Sequence, residues 1–366
     1  MALAPVAPPT HTPEGGDAMP PLTLSRHRHR VLTECLADRA EPLASGGRFA
    51  VYRLDPALPP LPGSGVASDP DDLVVVHDFA PAEIDNNIAR DVAEDLLPLL
   101  LGGTGRASRR SPQDLFEHMV GAVVRSVDGN ERRAWHRFYD NTLAALRRAG
   151  QAAASEAPRD RAQPDYIADF AAIYRRVASL IDEVAADSVL DVATCFGFLP
   201  LLLASGAWSG ARHPGVRPVV ACDLNPALMA LAESYARDRQ VANVRFVTTD
   251  ILDEHAAGGR GLPISDFDVV TAIHFLEHLE PAATPAALAA LWRRTRRRLI
   301  VAVPIEAVPD ARFGHRQVFD RDRLAALARQ AGGRFRCFDD HGAWLVIDRL
   351  PSPAAGPRPR LLESQT

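Results

Sequence analysis

The chain contains no lysine: all 41 of its basic residues are arginine, against 46 acidic ones, in 366 residues. That absence excludes Schiff-base lysine chemistry and the lysine-bearing phosphate loop. The bias itself reads as the coding preference of a GC-rich genome. Cysteine is scarce too. Cys35, Cys195, Cys222 and Cys337 lie far apart and form no CxxC pair, which excludes a zinc ribbon or a disulfide framework and leaves buried free thiols. No apolar run approaches the roughly 18–20 residues of a membrane span. The Pro/Gly-rich start, Met1–Leu22, lacks the basic and apolar regions of a secretory leader, so the expected location is cytoplasmic. A net charge of −5 argues against a protein that coats nucleic acid or an anionic membrane. What is present, 47% hydrophobic and 24% charged residues, fits a globular chain with a sizeable core and room for two parts.

Residues 1–25 and 351–366 have the composition of disordered tails. Arg48–Leu54 and Leu73–Phe79 read as two short strands around a Pro/Gly-rich loop. Helical spacing follows in Ile84–Leu101, Pro112–Val127 and Glu131–Ala149, and Gly150–Pro164 reads as a linker. Asp165–Val184 is a further amphipathic helix, its apolar face made of Ile167, Phe170, Ile173, Tyr174, Val177 and Ile181. The character changes at Ser188. Strands are expected at Val189–Ala193, Pro218–Cys222, Val244–Thr248, Phe267–Ile273 and Leu299–Val303, with helix-length segments between them, the pattern of βαβ crossovers in a parallel sheet. Arg334–Phe338 and Trp344–Asp348 are too close for a crossover and should pair antiparallel. The expected fold is α/β: five parallel βα units and a closing antiparallel hairpin over 164–350, behind a mostly helical region, 26–163, that acts as substrate-recognition element or lid.

The first of these strands runs into Leu190-Asp-Val-Ala-Thr-Cys-Phe-Gly197, a βα turn of the kind at which open α/β sheets bind nucleotide-like ligands. The second ends at Asp223, a carboxylate able to accept two ribose hydroxyls. The third is followed by Asp250-Ile251, which could bracket an adenine. Singly, each aspartate could be a helix cap or a turn residue; together, at the ends of three successive strands, they describe one nucleoside-shaped site. A nicotinamide-dependent oxidoreductase would need GxGxxG here, and Ala-Thr-Cys-Phe-Gly-Phe does not supply it. These motifs resemble the class I S-adenosylmethionine-dependent methyltransferases. The resemblance implies a Rossmann-like seven-stranded sheet, S-adenosylmethionine as cofactor, and a cofactor site formed by Asp191, Ala193, Cys195, Gly197, Asp223, Leu224, Asp250 and Ile251. The family has glycine where this chain has Ala193 and Cys195, a departure expected to narrow the space for the methionine part.

The fourth-strand segment, Phe267–Leu279, also resembles that family and adds a ligand-like set. His274, Glu277 and His278 are spaced i, i+3, i+4 and would share one face of a helical turn. His315 follows the fifth strand, whose loop should lie beside theirs. Three imidazoles and a carboxylate suit Mn, Fe, Co or Zn better than Mg. The set is similar to the ExxEH…H ligands of the metal-dependent 2′-O-methyltransferases that modify small-RNA 3′ ends: Glu277, His278 and His315 match, and His274 stands at the first glutamate. Two other readings stay open, a metal-free general base at His274 or His278 and plain packing against the sheet.

For the acceptor, Arg26–Arg30 and Arg293–Arg298 are the densest basic runs. The second reads as a solvated helix end complementing the macrodipole, not as an RNA track. Trp135–Asp140 reads first as core and second as an aromatic acceptor platform. A sugar hydroxyl on a small glycan or glycoside is the expected acceptor, with neither nucleic acid nor membrane as partner. The Asp191–Pro200 run also looks loosely like the methyltransferases that cap the oligosaccharide of mycofactocin. The alternatives are a metal-free methyltransferase of a small metabolite or an RNA terminus, and a catalytically inactive methyltransferase-like binding protein.

Overall fold

The computed structural model describes residues 22–25, 40–54, 73–102, 111–152, 165–207, 217–252, 262 and 266–350. Strands β1 (Leu22–Ser25), β2 (Ala40–Gly46), β3 (Phe49–Leu54) and β4 (Leu73–His77) form a four-stranded sheet in the order β1-β4-β3-β2. β2, β3 and β4 are antiparallel neighbours, and β1 lies parallel to β4. Helix α1 (Ile88–Asp91) passes through a π-turn, Val92–Leu96, into α2 (Leu97–Gly102). α3 (Pro112–Ser126) starts where Ser111 Oγ accepts the Asp114 amide at 3.1 Å and Pro112 occupies a position with no amide to satisfy. α4 (Glu131–Ala152) follows, then α5 (Tyr166–Glu183), capped by Asp165.

The rest of the chain winds into a seven-stranded sheet. It contains β5 (Val189–Val192), α6 (Phe198–Ala204), β6 (Val219–Asp223), α7 (Pro226–Asp238), β7 (Val244–Thr248), β8 (Phe267–Ile273), α8 (Thr284–Arg293), β9 (Thr295–Val303), α9 (Arg321–Ala331), β10 (Arg334–Asp339) and β11 (Ala343–Asp348). The strand order is β10-β11-β9-β8-β5-β6-β7. All pairings are parallel except those of β11, which is antiparallel to both β9 and β10. β8 is buried along its whole length, as a central strand covered on both faces must be. α5 covers one face through Ile173, Val177 and Ile181, which pack with Val189, Val269, Ile300 and Trp344. Among the described residues no helix is long and apolar enough to cross a membrane.

The amino-terminal half differs from expectation. Its two expected strands are present as β3 and β4, but β1 and β2 join them, and β1 lies inside the stretch read as a disordered tail. The continuous helix expected at Ile84–Leu101 is instead broken: it starts only at Ile88 and runs as α1, the π-turn and α2. Arg293–Arg298 is not a solvated helix end either, because β9 begins at Thr295. Arg298 is buried against Asp348 (2.6 Å) and Glu183 (2.6 Å), and Arg296 pairs with Asp268 at 3.1 Å. Cys35, Arg26–Arg30, most of the expected linker and the 351–366 tail lie outside the described residues.

Candidate active site

The β5–α6 loop bends through three left-handed residues, Ala193 (φ 55°), Cys195 (φ 53°) and Gly197 (φ 71°). For a residue with a Cβ this conformation costs roughly 1–2 kcal/mol, so the loop has to be held. Thr194 N donates to Cys222 O (3.1 Å), Cys195 N to the Asp223 carboxylate (2.9 Å) and Gly197 N to Thr194 O (2.9 Å). Ala193 and Cys195 thus keep the backbone that glycine would adopt freely, and their side chains take up space in the cleft beside them. At Gly197 no alternative fits: an added Cβ would stand 2.5 Å from the Phe246 ring.

Asp191 anchors this loop from below. It is buried, and its two carboxylate oxygens accept from Thr194 Oγ1 and Thr271 Oγ1, both at 2.6 Å. Burial pushes its carboxyl up to about 6 despite those hydroxyl donors. Half-buried Asp223 accepts from the Cys195 and Asn225 amides, and burial raises its carboxyl as well. An open cleft is lined by Asp191, Ala193, Thr194, Cys195, Phe196, Phe198, Leu199 and Ile273, with Asn86, Phe170 and Tyr174 on its other wall. Asp223, Leu224, Asp250 and Ile251 do not line this cleft. They sit beyond the loop at the ends of β6 and β7, with Leu224 68% exposed, Asp250 exposed and Ile251 buried. The two places are joined, since Asp223 binds the cleft loop through the Cys195 amide and the β7 end through Thr249 N to its carbonyl oxygen (3.0 Å).

On the other side of β5, β8 ends in His274, itself left-handed (φ 54°) and tied by its amide to Ala302 O at 2.8 Å. A 3-10 turn, Leu276–His278, follows in place of the expected α-helical turn. Glu277 is only 1% exposed, and among the described residues neither of its carboxylate oxygens has a hydrogen-bond partner. His274 Nδ1 lies 3.2 Å from Oε1, within ion-pair reach but outside hydrogen-bond geometry, and His274 Nε2 is buried with no partner among the described residues. One ligand atom each from Glu277, His278 and His315 lie within 4.8 Å of one another. His274 is not a member of this set of three; it stands beside the set, against Glu277.

His315 is oriented by a residue that carries no sequence motif. Its Nδ1 lies 2.8 and 3.0 Å from the two Glu306 oxygens. A carboxylate only accepts, so Nδ1 carries a proton toward Glu306, which fixes the ring edge-on to that of His278, 4.9 Å away. Gln317, also without a motif, ties the two loops by donating to Leu276 O and Leu279 O at 2.8 Å. Burial lowers the His274 imidazole and pushes His278 down to about 3. Burial alone would raise Glu277, but His274 beside it outweighs that and its carboxyl lies below the usual range. An imidazole held neutral by burial, a second imidazole and a carboxylate without a hydrogen-bond partner among the described residues are the donor set of a borderline divalent ion. The residues fit one.

Residues 189–298 match the family model of a methyltransferase domain. Over those residues the chain carries a methyltransferase domain, set on the seven-stranded Rossmann-like sheet already described. Similar solved structures include the magnesium protoporphyrin IX methyltransferase of Synechocystis with bound S-adenosylhomocysteine, at 15% identity over 57% of this chain and 94% of that one (TM-score 0.37). The methyltransferase domain of bacterial CtHen1 is similar at 19% identity over 49% and 97% of the two chains (TM-score 0.38). An O-methyltransferase family protein of Burkholderia thailandensis is similar at 16% over 73% and 94% (TM-score 0.38). No curated protein matches the chain.

The methyltransferase domain shares its core with the amino-terminal region. Trp135, Phe138 and Tyr139 of α4, at most 1% exposed, pack on Phe196 and Phe198, and Tyr139 stacks on Tyr235 with ring centroids 4.7 Å apart. Trp135, Phe138 and Tyr139 are therefore core, as first expected, and these aromatics form no acceptor platform. Cys195, expected as a buried thiol, lies half-buried at the cleft, while Cys222 is buried and Cys337 half-buried.

Proposed function

We propose that this enzyme transfers the S-adenosylmethionine methyl group to a hydroxyl of a sugar-containing small molecule, assisted by a divalent metal, in the cytoplasm. The observation that carries this reading is the buried Glu277 carboxylate without a hydrogen-bond partner, with His278 and His315 ligand atoms close by. An ionised group buried in that way is costly unless a cation meets it. The consumption of Arg296 and Arg298 in internal ion pairs supports a small acceptor over a long nucleic acid.

S-adenosylmethionine supplies an electrophilic methyl group on a sulfonium, and a divalent ion supplies Lewis acidity that lowers the pKa of a hydroxyl. Glu277, His278 and His315 would hold that ion, with Glu306 fixing the His315 ring. His274, kept neutral by burial and turned with Nδ1 toward Glu277, offers Nε2 to take the hydroxyl proton. Transfer is then a matter of proximity and orientation. His274 acting as base without metal is the second reading, favoured by its own unpartnered Nε2.

The test is a methyl-transfer assay with the full chain, labelled S-adenosylmethionine and a panel of glycosides, the mycofactocin glycan first, alongside a small RNA with a free 3′-terminal ribose. Methylation of glycosides that is lost on chelation and restored by Mn, Co or Zn supports the proposal. Activity that survives chelation but not His274→Ala selects the second reading. Methylation of RNA alone, or of a nitrogen or carbon atom, overturns the acceptor.

A further inference from the structure

Among the described residues the cleft has no arginine in its lining, and Asp191 spends both carboxylate oxygens on Thr194 and Thr271. Two polar side chains line the same space from the opposite wall, Asn86 and Tyr174, and Asn86 alone of the two can both accept and donate through separate atoms. Asn86 is 8% exposed, lines the cleft, and its side-chain amide makes no hydrogen bond with any described residue. Its backbone is held from several sides. The Asn86 amide donates to Thr142 Oγ1 (3.0 Å), Asn141 Nδ2 donates to Pro81 O and Ile84 O (both 3.0 Å), and Ala89 N donates to Asn86 O (3.2 Å). A segment clamped so firmly by α4, with a buried amide turned into a cleft, is a preorganised binding group.

The end of the cofactor it meets follows from the strand order. β6 and β7 lie on one side of β5, and Asp223 and Asp250, the carboxylates expected to meet the ribose and the adenine, stand at their ends, outside this cleft. The cleft opens between the β5 loop and Ile273 at the end of β8, on the other side. It therefore receives the amino-acid end of the cofactor. That end carries an ammonium and a carboxylate, and a primary amide answers both, Oδ1 accepting from the first and Nδ2 donating to the second.

We infer that Asn86, a residue of the amino-terminal region, is a cofactor-binding residue that holds the amino-acid end of S-adenosylmethionine. The inference rests on the methyltransferase reading above, and the experiment separates the two. Calorimetry on the full chain measures S-adenosylhomocysteine, S-adenosylmethionine and 5′-methylthioadenosine, which lacks the amino-acid end. Asn86→Leu should weaken the first two by about 10–100-fold, the loss of one or two charge-assisted hydrogen bonds. Binding of 5′-methylthioadenosine should stay within about twofold of wild type. Asn86→Asp keeps the side chain's size and adds a negative charge. It should cost S-adenosylmethionine more affinity than it costs decarboxylated S-adenosylmethionine, measured as a fourth ligand that keeps the ammonium and lacks the carboxylate, a charge-specific difference that a folding defect cannot produce. Equal losses for all ligands in both variants, or none, overturn the assignment of Asn86. Failure of the wild-type chain to bind any of these nucleosides overturns the methyltransferase reading itself.

Discussion

Replacing Glu277 with glutamine should abolish the response to metal while leaving the chelated protein near wild type. In the chelated wild-type protein the carboxylate sits 1% exposed, with no hydrogen bond to either oxygen among the described residues and the His274 ring at 3.2 Å. A neutral amide of the same shape removes the buried charge, but it loses the neighbouring interactions that hold the carboxyl below its usual range and leaves its own donors and acceptor without partners, so the two effects oppose each other. With free metal at about 100 times its dissociation constant, the wild type gains about 2.7 kcal/mol by mass action. The variant, without its one anionic ligand, gains little. In a chain of this size 1 kcal/mol moves the melting temperature by about 2 °C. Saturating Mn, Co or Zn should therefore raise the melting temperature of the wild type by roughly 5 °C over its value in EDTA and leave that of Glu277→Gln where it was. If metal moves both equally, or neither, the ligand reading is wrong.

Three further outcomes are expected. Ala193→Gly and Cys195→Gly each remove a left-handed penalty of roughly 1–2 kcal/mol at the cost of about 0.4–1 kcal/mol of unfolded-chain entropy, so urea midpoints should rise slightly; a clear fall would mean that their side chains contribute packing that outweighs the strain. Glu306→Gln should weaken metal affinity by about 10–100-fold in calorimetry while leaving the melting temperature of the chelated protein near wild type, and unchanged affinity would refute its role behind His315. The pH dependence follows from His278, whose imidazole is pushed down to about 3 in the fold. The unfolded chain takes up that proton first, near pH 6.5, so stability present above 6.5 is lost as pH falls toward 3, by about 1.4 kcal/mol at pH 5.5. Asp191, raised to about 6, acts oppositely, losing stability as pH rises between the ordinary carboxylate range and 6. Comparison of chelated wild type with His278→Ala cancels the Asp191 contribution, and their stability difference should shrink by about 1.4 kcal/mol between pH 7.5 and 5.5. A constant difference would show that His278 is not held neutral.

How far the sequence could be read depended on how local the cause was. The strands from Val189 onward carry their own signature, short apolar runs such as Phe267–Ile273 set between helix-length segments, and they fold as read. The start of β9 was hidden because Thr295-Arg-Arg-Arg298 has no strand character. Its arginines are stabilised by Asp268, Glu183 and Asp348, which are distant in sequence. β1 is four residues long and pairs with a strand some fifty residues away, and β2 holds Pro42 beside a register shift, so neither has a local pattern to find. In the site, ligand chemistry marks Glu277, His278 and His315 by residue type alone. Glu306, Gln317 and Asn86 act only through where the fold sets them, and an isolated Glu, Gln or Asn in a loop has no spacing that could announce it.

The strain at the site explains why the amino-terminal region cannot be a detachable lid. Ala193, Cys195 and His274 all stand in the left-handed region without being glycine, together costing roughly 3–6 kcal/mol. A typical fold has only about 5–15 kcal/mol of net stability, so a local cluster of that size persists only where its surroundings over-determine it. The surroundings here come from both halves of the chain. Phe196, one residue after Cys195, is buried against Trp135 and Phe138 of α4, and the His274 ring lies 5.6 Å from the Phe170 ring of α5. The loop that carries His315 is held in the same way. Arg312 donates to Ala93 O in the π-turn at 3.1 Å, and Phe313 meets Phe116 edge-on with ring centroids 5.1 Å apart. A π-turn leaves a carbonyl outside the regular helical ladder, and here a side chain from the site loop takes it. One core thus fixes the cofactor loop, the candidate base and the third candidate ligand in a common frame, which a methyl transfer governed by distance and alignment requires.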